Sequence, residues 1–149
     1  MKKILLAIAA LAFMAWGCSS DEDVTPAWLQ QGSDARPTTW TAPDYSLYEL
    51  TMSLQVQLGD ALAAYQSNAD LMCATVNGEV RAVTPPMSNM GIVYYPLTIV
   101  GNSNNQMVSL HYYCDRLHRI YTINNWAQFD PSTIPTGESG IYRPRFTGE

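Results

Sequence analysis

The sequence predicts an all-β protein, a single antiparallel β-sandwich of the Ig-like or jelly-roll-like kind, preceded by a lipoprotein signal peptide and a flexible tether. Residues 48–58 alternate between apolar and polar side chains, and an Asn-Gly pair at residues 77–78 separates two strand-like runs. Further short runs with turns between them follow at regular spacing. The expected division is a signal peptide at 1–17, a lipidated acidic tether at 18–39 and a β-sandwich domain at 40–149.

The first 17 residues differ in composition from the rest of the chain. Lys2 and Lys3 precede an apolar run at residues 4–13, and small residues lead to Gly17 and Cys18. This pattern is typical of a secretory signal peptide and is too short to cross a membrane. A Cys at its end is where a bacterial lipoprotein signal is cut. Cys18 is therefore the predicted lipid attachment site, which makes the membrane a predicted partner through the lipid anchor.

The chain without its signal peptide is acidic and has no lysine. Its six basic residues are all Arg, against 13 Asp and Glu, so its net charge is about −7. Nucleic acids and anionic membrane surfaces bind clustered positive charge, and the composition therefore argues against both as partners. The acidic run directly after Cys18 has two interpretations, simple solubility or a tag for sorting to the cell surface.

The first predicted strand is central to its sheet and buried on one face. Its apolar side chains occupy every second position, at Leu50, Met52, Leu54, Val56 and Leu58. The following residues, 59–69, contain an alanine-rich stretch that could form one helical turn. Such a turn is too short to be stable alone, so the segment is predicted to be a loop.

Asn77 and Gly78 predict a two-residue type I′ hairpin, because both turn positions require positive φ. In that register Thr75 is opposite Val80 and Cys73 is opposite Ala82. One face of the hairpin is then the predicted core face. Its members are Leu71, Cys73, Thr75, Val80 and Ala82.

Four later segments complete the predicted sheets. Residues 91–100 form a strand in which Pro96 lacks a ladder donor, so this strand is expected to be bulged or at an edge. Residues 107–114 alternate again, and residues 119–123 follow after a turn. Residues 141–146 are predicted to close the sheet as a final strand.

Cysteine and histidine positions define the possible cross-links and metal ligands. Cys73 and Cys114 both fall on the predicted core parity, and they could form one disulfide or remain two buried thiols. His111 and His118 are seven positions apart, with only Asp115 close enough to be a third ligand. Neither a metal site nor another cofactor is expected from this pattern.

No sequence motif for catalysis is visible. The chain has no Gly-x-Ser-x-Gly elbow, no His-Glu-x-x-His and no glycine-rich phosphate loop, so an enzyme is not expected. Aromatic residues on loops can instead stack on sugar faces while amides bind hydroxyls. The best candidate cluster is Trp126 with Asn124, Asn125 and Gln128, and Trp40 is a second candidate aromatic. The alternative, in which these aromatics belong to the core, stays open.

Several of these motifs resemble those of one bacterial group. The signal peptide with Cys18 and the following Ser-Ser-Asp-Glu-Asp is similar to the surface lipoproteins of the Bacteroidetes. Residues 36–52, with Arg-Pro-x-x-Trp-x-x-Pro-Asp-Tyr, resemble the start of a β-sandwich domain of largely unknown function in exported proteins of that group. The hairpin at residues 70–81 resembles its second signature, and Tyr113 with Asp115 resembles its third.

This resemblance implies an outer-membrane lipoprotein, anchored by lipid and exposed on the cell surface, without catalytic residues. Two expectations for its role follow. The first is a non-catalytic binding or accessory module for a glycan or a surface-protein partner. The second is a structural or assembly subunit of a surface appendage or envelope machine.

Overall fold

A computed structural model of the chain describes residues 24–132 and 141–146, and it confirms the all-β sandwich. The predicted signal peptide, Cys18 and the start of the tether lie outside the described residues. The strands of the described part are β1 Leu50–Val56, β2 Leu71–Val76, β3 Glu79–Thr84, β4 Met87–Asn89, β5 Ile92–Gly101, β6 Met107–Cys114, β7 Arg119–Gln128 and β8 Ile141–Tyr142.

These strands form two four-stranded sheets that pack face to face. Sheet I has the order β4-β5-β1-β8, and sheet II has the order β3-β2-β6-β7. All neighbouring strands are antiparallel except β1 and β8, which run parallel. The core lies between the two sheets and is made of alternate side chains from both.

β1 confirms the prediction of a central strand buried on one face. Met52, Leu54 and Val56 are buried, while the residues between them are exposed. The strand pairs with β5 on one side and with β8 on the other. The period-2 alternation of the sequence therefore correctly identified an internal strand that is buried on one face.

The β2–β3 hairpin follows the predicted turn but not the whole predicted register. Asn77 and Gly78 have φ of 51° and 78°, as a type I′ turn requires, and Thr75 pairs with Val80. The register then shifts, and Arg81 is left over as the extra residue of a β-bulge. Ala82 is consequently opposite Ala74, so the predicted pairing of Cys73 with Ala82 is wrong.

The predicted core face of β2 is also wrong. The core receives Met72, Ala74 and Val76, which pair with alternate core residues of β6. Leu71, Cys73 and Thr75 point to the outer face of sheet II. The alternation is ambiguous here because side chains of both parities are small or apolar, and both faces of the strand are buried.

Cys73 and Cys114 are free thiols, so the disulfide alternative is wrong and the alternative of two buried thiols is confirmed. Cys73 pairs with His111 in the β2–β6 ladder, and Cys114 lies three residues further along β6. Because successive side chains alternate between faces, Cys114 points into the core and Cys73 points outward. Both thiols are buried, and burial raises the pKa of Cys73 to about 12.

Two short elements differ from the sequence prediction. A single helical turn, α1, spans Asp60–Ala63 within the segment predicted to be a loop. The three-residue strand β4 was not predicted, and it pairs with β5 only as far as Tyr94. Pro96 therefore lies where β5 has lost its β4 neighbour, although β5 as a whole is internal to sheet I. Within the described residues, no helix has the length and apolar character needed to span a membrane.

A buried carboxylate, Asp70, connects the two sheets. Tyr112 of sheet II donates to its Oδ2 at 2.7 Å, and Tyr95 of sheet I donates to the same oxygen at 3.3 Å. The backbone N–H of Asp115 and both the N–H and the hydroxyl of Ser67 complete the set of donors. Because both oxygens of the buried Asp70 side chain and the two tyrosine hydroxyls are satisfied together, this cluster holds the layers in one register.

Residues 27–48 form a segment that we call the strap, and most of it was predicted to be tether. Leu29 is buried in the core. Further along, Gly32 donates to the Leu117 carbonyl at 2.7 Å, and Asp34 accepts from the Ile120 N–H at 2.8 Å. A Cβ on Gly32 would lie 2.8 Å from the backbone carbonyl oxygen of His118, so the close approach requires glycine. The packed unit therefore begins well before Trp40.

Candidate functional site

The strap and the β2–β3 hairpin enclose an open cleft on the outer face of sheet II, which we call the Trp40 cleft. Its volume is about 470 Å³. Polar and aromatic side chains line it, among them Thr39, Trp40, Asp44, Tyr48, Thr75 and Glu79. The strap supplies one wall, and the hairpin with its bulge supplies the other.

Trp40 is held in place by the residues beneath it. Its indole lies 5.9 Å from the His111 ring, with 46° between the planes. His111 is fixed in turn by two hydroxyls, since Thr75 Oγ1 is 2.9 Å from Nε2 and Thr122 Oγ1 is 2.9 Å from Nδ1. Burial lowers the pKa of His111, which favours the neutral ring. The Trp40 indole therefore packs on a neutral imidazole whose two ring nitrogens are both hydrogen-bonded.

A linked group of three side chains, Tyr48 of the strap with Glu79 and Arg81 of the hairpin, joins the two walls. Tyr48 donates to Glu79 Oε1 at 2.9 Å, and Arg81 forms an ion pair with Glu79 Oε2 at 3.1 Å. The Arg81 guanidinium also lies over the Tyr48 ring, 4.7 Å from its centroid. The Tyr48 hydrogen bond and the nearby Arg81 charge lower the pKa of Glu79. The hairpin carboxylate is therefore ionised and fixed in direction.

Arg81 is the bulge residue and is itself buried. Its Nη1 donates to the Val100 carbonyl at 3.3 Å, which links β3 to β5. Its Nε is buried without a hydrogen-bond partner. The bulge therefore directs a cation under the cleft wall rather than into the solvent.

Asp44 is the exposed carboxylate on the strap side. Its Oδ1 accepts from both the N–H and the hydroxyl of Ser46, at 3.0 and 2.6 Å, which caps the short 3-10 turn Tyr45–Leu47. These two hydrogen bonds lower the pKa of Asp44. One oxygen of the carboxylate is thus committed to the turn, and the other is available to a ligand in the cleft.

The structure separates the aromatic residues that the sequence analysis proposed for binding. Trp126 is half-buried and packs on Tyr142, with 4.8 Å between ring centroids, so it belongs to the margin of the core. Asn124, Asn125 and Gln128 are exposed beside it. Both tryptophans are half-buried, but Trp40 lines an open cleft, and a binding role for the Trp126 cluster stays a prediction.

Asn125 marks an irregularity in the middle of β7, next to Trp126. Its φ is 49°, and the register of β7 against β6 shifts at this point. The Asn125 N–H bonds to the Ser109 hydroxyl instead of continuing the ladder. The segment predicted as a strand at residues 119–123 is thus the first half of a longer strand with an irregular centre, and Trp126 in its second half packs on Tyr142.

Sequence reasoning missed Asp44, Tyr48 and Glu79 as a group. The signal for Asp44 was present, because Asp followed two residues later by Ser is a capping pattern. Glu79 and Tyr48 are 31 residues apart, and nothing in the sequence indicates that they meet. No three His, Cys, Asp or Glu side chains come together as a metal site in the part of the chain that the structure describes.

No family model matches the chain, and neither the curated proteins nor the solved structures gave a significant match. Inference about function therefore depends on the chemistry of the residues that line the cleft.

Proposed function

We propose that the chain is an outer-membrane lipoprotein, anchored through Cys18 and displayed on the cell surface, and that it acts as a non-catalytic binding or accessory module for a glycan. The glycan binds in the Trp40 cleft. The N-terminal pattern of Lys2, Lys3, an apolar run and Cys18 supports the anchor and the envelope location. The resemblance to Bacteroidetes surface lipoproteins supports display toward the outside.

The observation that carries the glycan proposal is the convergence of three kinds of group in one open cleft. Trp40 offers an apolar ring on which the C–H face of a sugar can pack. Asp44 and Glu79 offer carboxylate oxygens, which accept strong hydrogen bonds from hydroxyls. Thr39 and Thr75 add hydroxyls that donate or accept. Few other ligand classes use an aromatic face and many hydroxyl partners together.

The charge state of the two carboxylates supports binding over catalysis. Glycoside hydrolysis needs a carboxylic acid whose pKa is raised so that it can donate a proton. The pKa values of Asp44 and Glu79 are lowered by their hydrogen bonds, which is the opposite direction. Both groups therefore act as fixed acceptors.

A second candidate function, an assembly subunit of a surface structure, is favoured by one specific observation. Met87, Met90 and Ile92 are exposed together on the β4–β5 hairpin, and Met90 is 96% exposed. An exposed apolar tip is a common feature of protein–protein contacts. The partner in that case is another envelope protein, bound through the hairpin rather than through the cleft.

The glycan proposal is tested by affinity electrophoresis of the mature chain, in non-ionic detergent, through gels containing single polysaccharides. At least one polymer retards the chain, and Trp40→Ala weakens that retardation by about tenfold or more. Asp44→Asn weakens it as well, because the amide keeps the cap on Ser46 but loses the charge. Glu49→Gln removes an exposed strap-side carboxylate outside the cleft lining and is the matched control. Retardation that is unchanged in Trp40→Ala contradicts the cleft as the site.

The anchor is tested separately with Cys18→Ser. We expect the wild-type chain in the membrane fraction and the variant released from it, because only a Cys accepts the lipid. Proteolysis of intact cells then reports outward display. A variant that stays in the membrane fraction contradicts lipid anchoring at this residue.

A further inference from the structure

Sheet I has an outer face that no described segment covers. The outward side chains of β1, at Thr51, Ser53 and Gln55, are exposed. Outward residues of β4, and of β5 from Ile92 to Thr98, are exposed or half-buried, among them Asn89 and Tyr94, whereas Val100 at the far end of β5 is buried. This face is the counterpart of the one that the strap covers on sheet II.

A groove of about 170 Å³ crosses this face. Each of the four strands contributes to its lining, and one further residue follows directly after β1. The lining residues are Gln55, Gln57, Asn89, Ile92, Tyr94 and Ile141. With neighbouring strands about 4.8 Å apart, the groove spans about 14 Å from β4 to β8. It is long and shallow rather than a closed pocket.

The residues that line the groove are all uncharged although the chain is acidic. None of its lining residues is Asp or Glu, and no outward residue of the four strands is acidic. Arg143 borders the groove, and its guanidinium donates to Gln57 Oε1 at 2.8 Å. The lining side chains themselves offer a charged polymer no ion-pair partner, so the composition of the lining favours an uncharged ligand.

Its polar groups favour a polyhydroxyl ligand over an apolar protein surface. Among the described residues, the side chains of Gln55, Asn89 and Tyr94 have no hydrogen-bond partner. An apolar partner would bury these amides and the phenol unsatisfied, which is unfavourable for each group. Hydroxyls can satisfy all of them, and Ile92 with the Tyr94 ring can pack against sugar C–H groups.

We infer that the outer face of sheet I is a second glycan-binding surface, specific for a neutral polysaccharide that lies across the strands in this groove. The inference rests on the proposed function for its ligand class, but it concerns different residues. The Trp40 cleft, with two ionised carboxylates, and this neutral groove are two separate contacts on opposite sides of the molecule.

The test uses the mature chain in non-ionic detergent and affinity gels that contain galactomannan, xyloglucan, mixed-linkage β-glucan or, as the anionic comparison, polygalacturonate. Tyr94→Ala and Gln55→Ala each remove one groove side chain. Thr98→Ala, on the same face but outside the groove lining, is the matched control. Thermal unfolding of each variant identifies any that fail to fold, and Gln55→Ala is an exposed substitution that serves if Tyr94→Ala does not fold.

The expected result is that a neutral polysaccharide retards the wild-type chain, that Gln55→Ala and Tyr94→Ala reduce this retardation by about fivefold or more, and that Thr98→Ala leaves it unchanged. Loss in these variants with full retention in Trp40→Ala keeps this inference and overturns the Trp40 cleft. Loss in Trp40→Ala alone keeps the proposed function and overturns the second surface. Retardation by polygalacturonate alone overturns the neutral class, and no retardation by any polymer overturns both proposals.

Discussion

The two outer faces of the sandwich are built on similar central strands but have opposite surroundings. In β1 of sheet I the residues alternate between buried and exposed, whereas β2 of sheet II is buried at almost every position. We attribute the difference to the strap, because its Trp40 packs on His111, the ladder partner of Cys73, and lines the same cleft as Thr75. A short segment with little hydrophobic pattern of its own can therefore convert a half-buried sheet into one buried on both faces.

The largest expected effect on stability comes from placing a carboxylate on one outer face or the other, in two separate variants. Cys73→Asp puts an unpaired carboxylate under the strap and is expected to lower the free energy of unfolding by about 3–5 kcal/mol. Ser53→Asp puts it at the matching outward position of sheet I and changes stability by about 0.5 kcal/mol or less. Urea unfolding of both variants measures the difference. Equal losses would mean that the strap does not bury the outer face of sheet II in solution.

A substitution at Asp70 tests the hydrogen bonds that connect the two sheets, on which both outer faces depend. Asp70→Asn keeps the shape but replaces one acceptor oxygen by a donor facing the Tyr95 and Tyr112 hydroxyls, so we expect a loss of about 2–3 kcal/mol. Tyr95→Phe, which deletes only the longer of the two tyrosine hydrogen bonds, is the control and costs about 1 kcal/mol. Chemical denaturation measures both. A neutral Asp70→Asn variant would show that the carboxylate does not join the sheets.

Thiol labelling sharpens the comparison between the covered face and the core. Asp34→Ala removes the contact to the Ile120 N–H and loosens the strap. If this costs about 1 kcal/mol, local opening becomes about fivefold more frequent, and alkylation of Cys73 accelerates accordingly. Cys114 points into the core and serves as the internal control, since its labelling requires the sheets to separate. Peptide mass spectrometry resolves the two sites, and equal acceleration would contradict a local opening of the strap.

The smallest expected effect is a pH dependence of the free energy of unfolding, which comes from His111 on the outer face of sheet II. Burial lowers the pKa of His111 below its ordinary value of 6.5, so the unfolded chain binds this proton more readily than the folded one. The free energy of unfolding therefore falls as the pH drops below that ordinary value. Unfolding midpoints from neutral pH to about pH 5 measure this contribution. We expect His111→Gln to abolish this pH dependence of the free energy of unfolding. The control variant His118→Gln, at an exposed turn, leaves it unchanged.

The sequence predicted the parts of the fold that follow from local patterns. The alternation of residues 48–58 identified β1, the Asn77-Gly78 pair identified its hairpin, and β6 has the predicted bounds of 107–114. These features depend on neighbours along the chain. The second hairpin turn, at Met90 and Gly91, also has positive φ at both positions but was missed, because Met is unusual there.

The remaining features depend on contacts between distant residues. The core face of β2 could not be predicted because the strap hides the usual contrast between inside and outside. The bulge at Arg81 shifts the register only after the turn, so the Asn-Gly pair gives no sign of it. Of the proposed binding aromatics, Trp40 lines a cleft and Trp126 packs on Tyr142, and both have polar sequence neighbours. Their different roles are set by what packs beneath them.

The hydrogen bonds of Asp70 have a consequence for how fast the chain folds and unfolds. Its partners Tyr95, Tyr112 and Asp115 lie 25, 42 and 45 positions away, so the carboxylate cannot be satisfied until strands from both sheets have met. Contacts of such sequence separation form late, after the entropy of closing the intervening loops has been lost. We therefore expect Asp70→Asn to accelerate unfolding far more than it slows folding. The buried carboxylate then acts mainly on the lifetime of the folded protein.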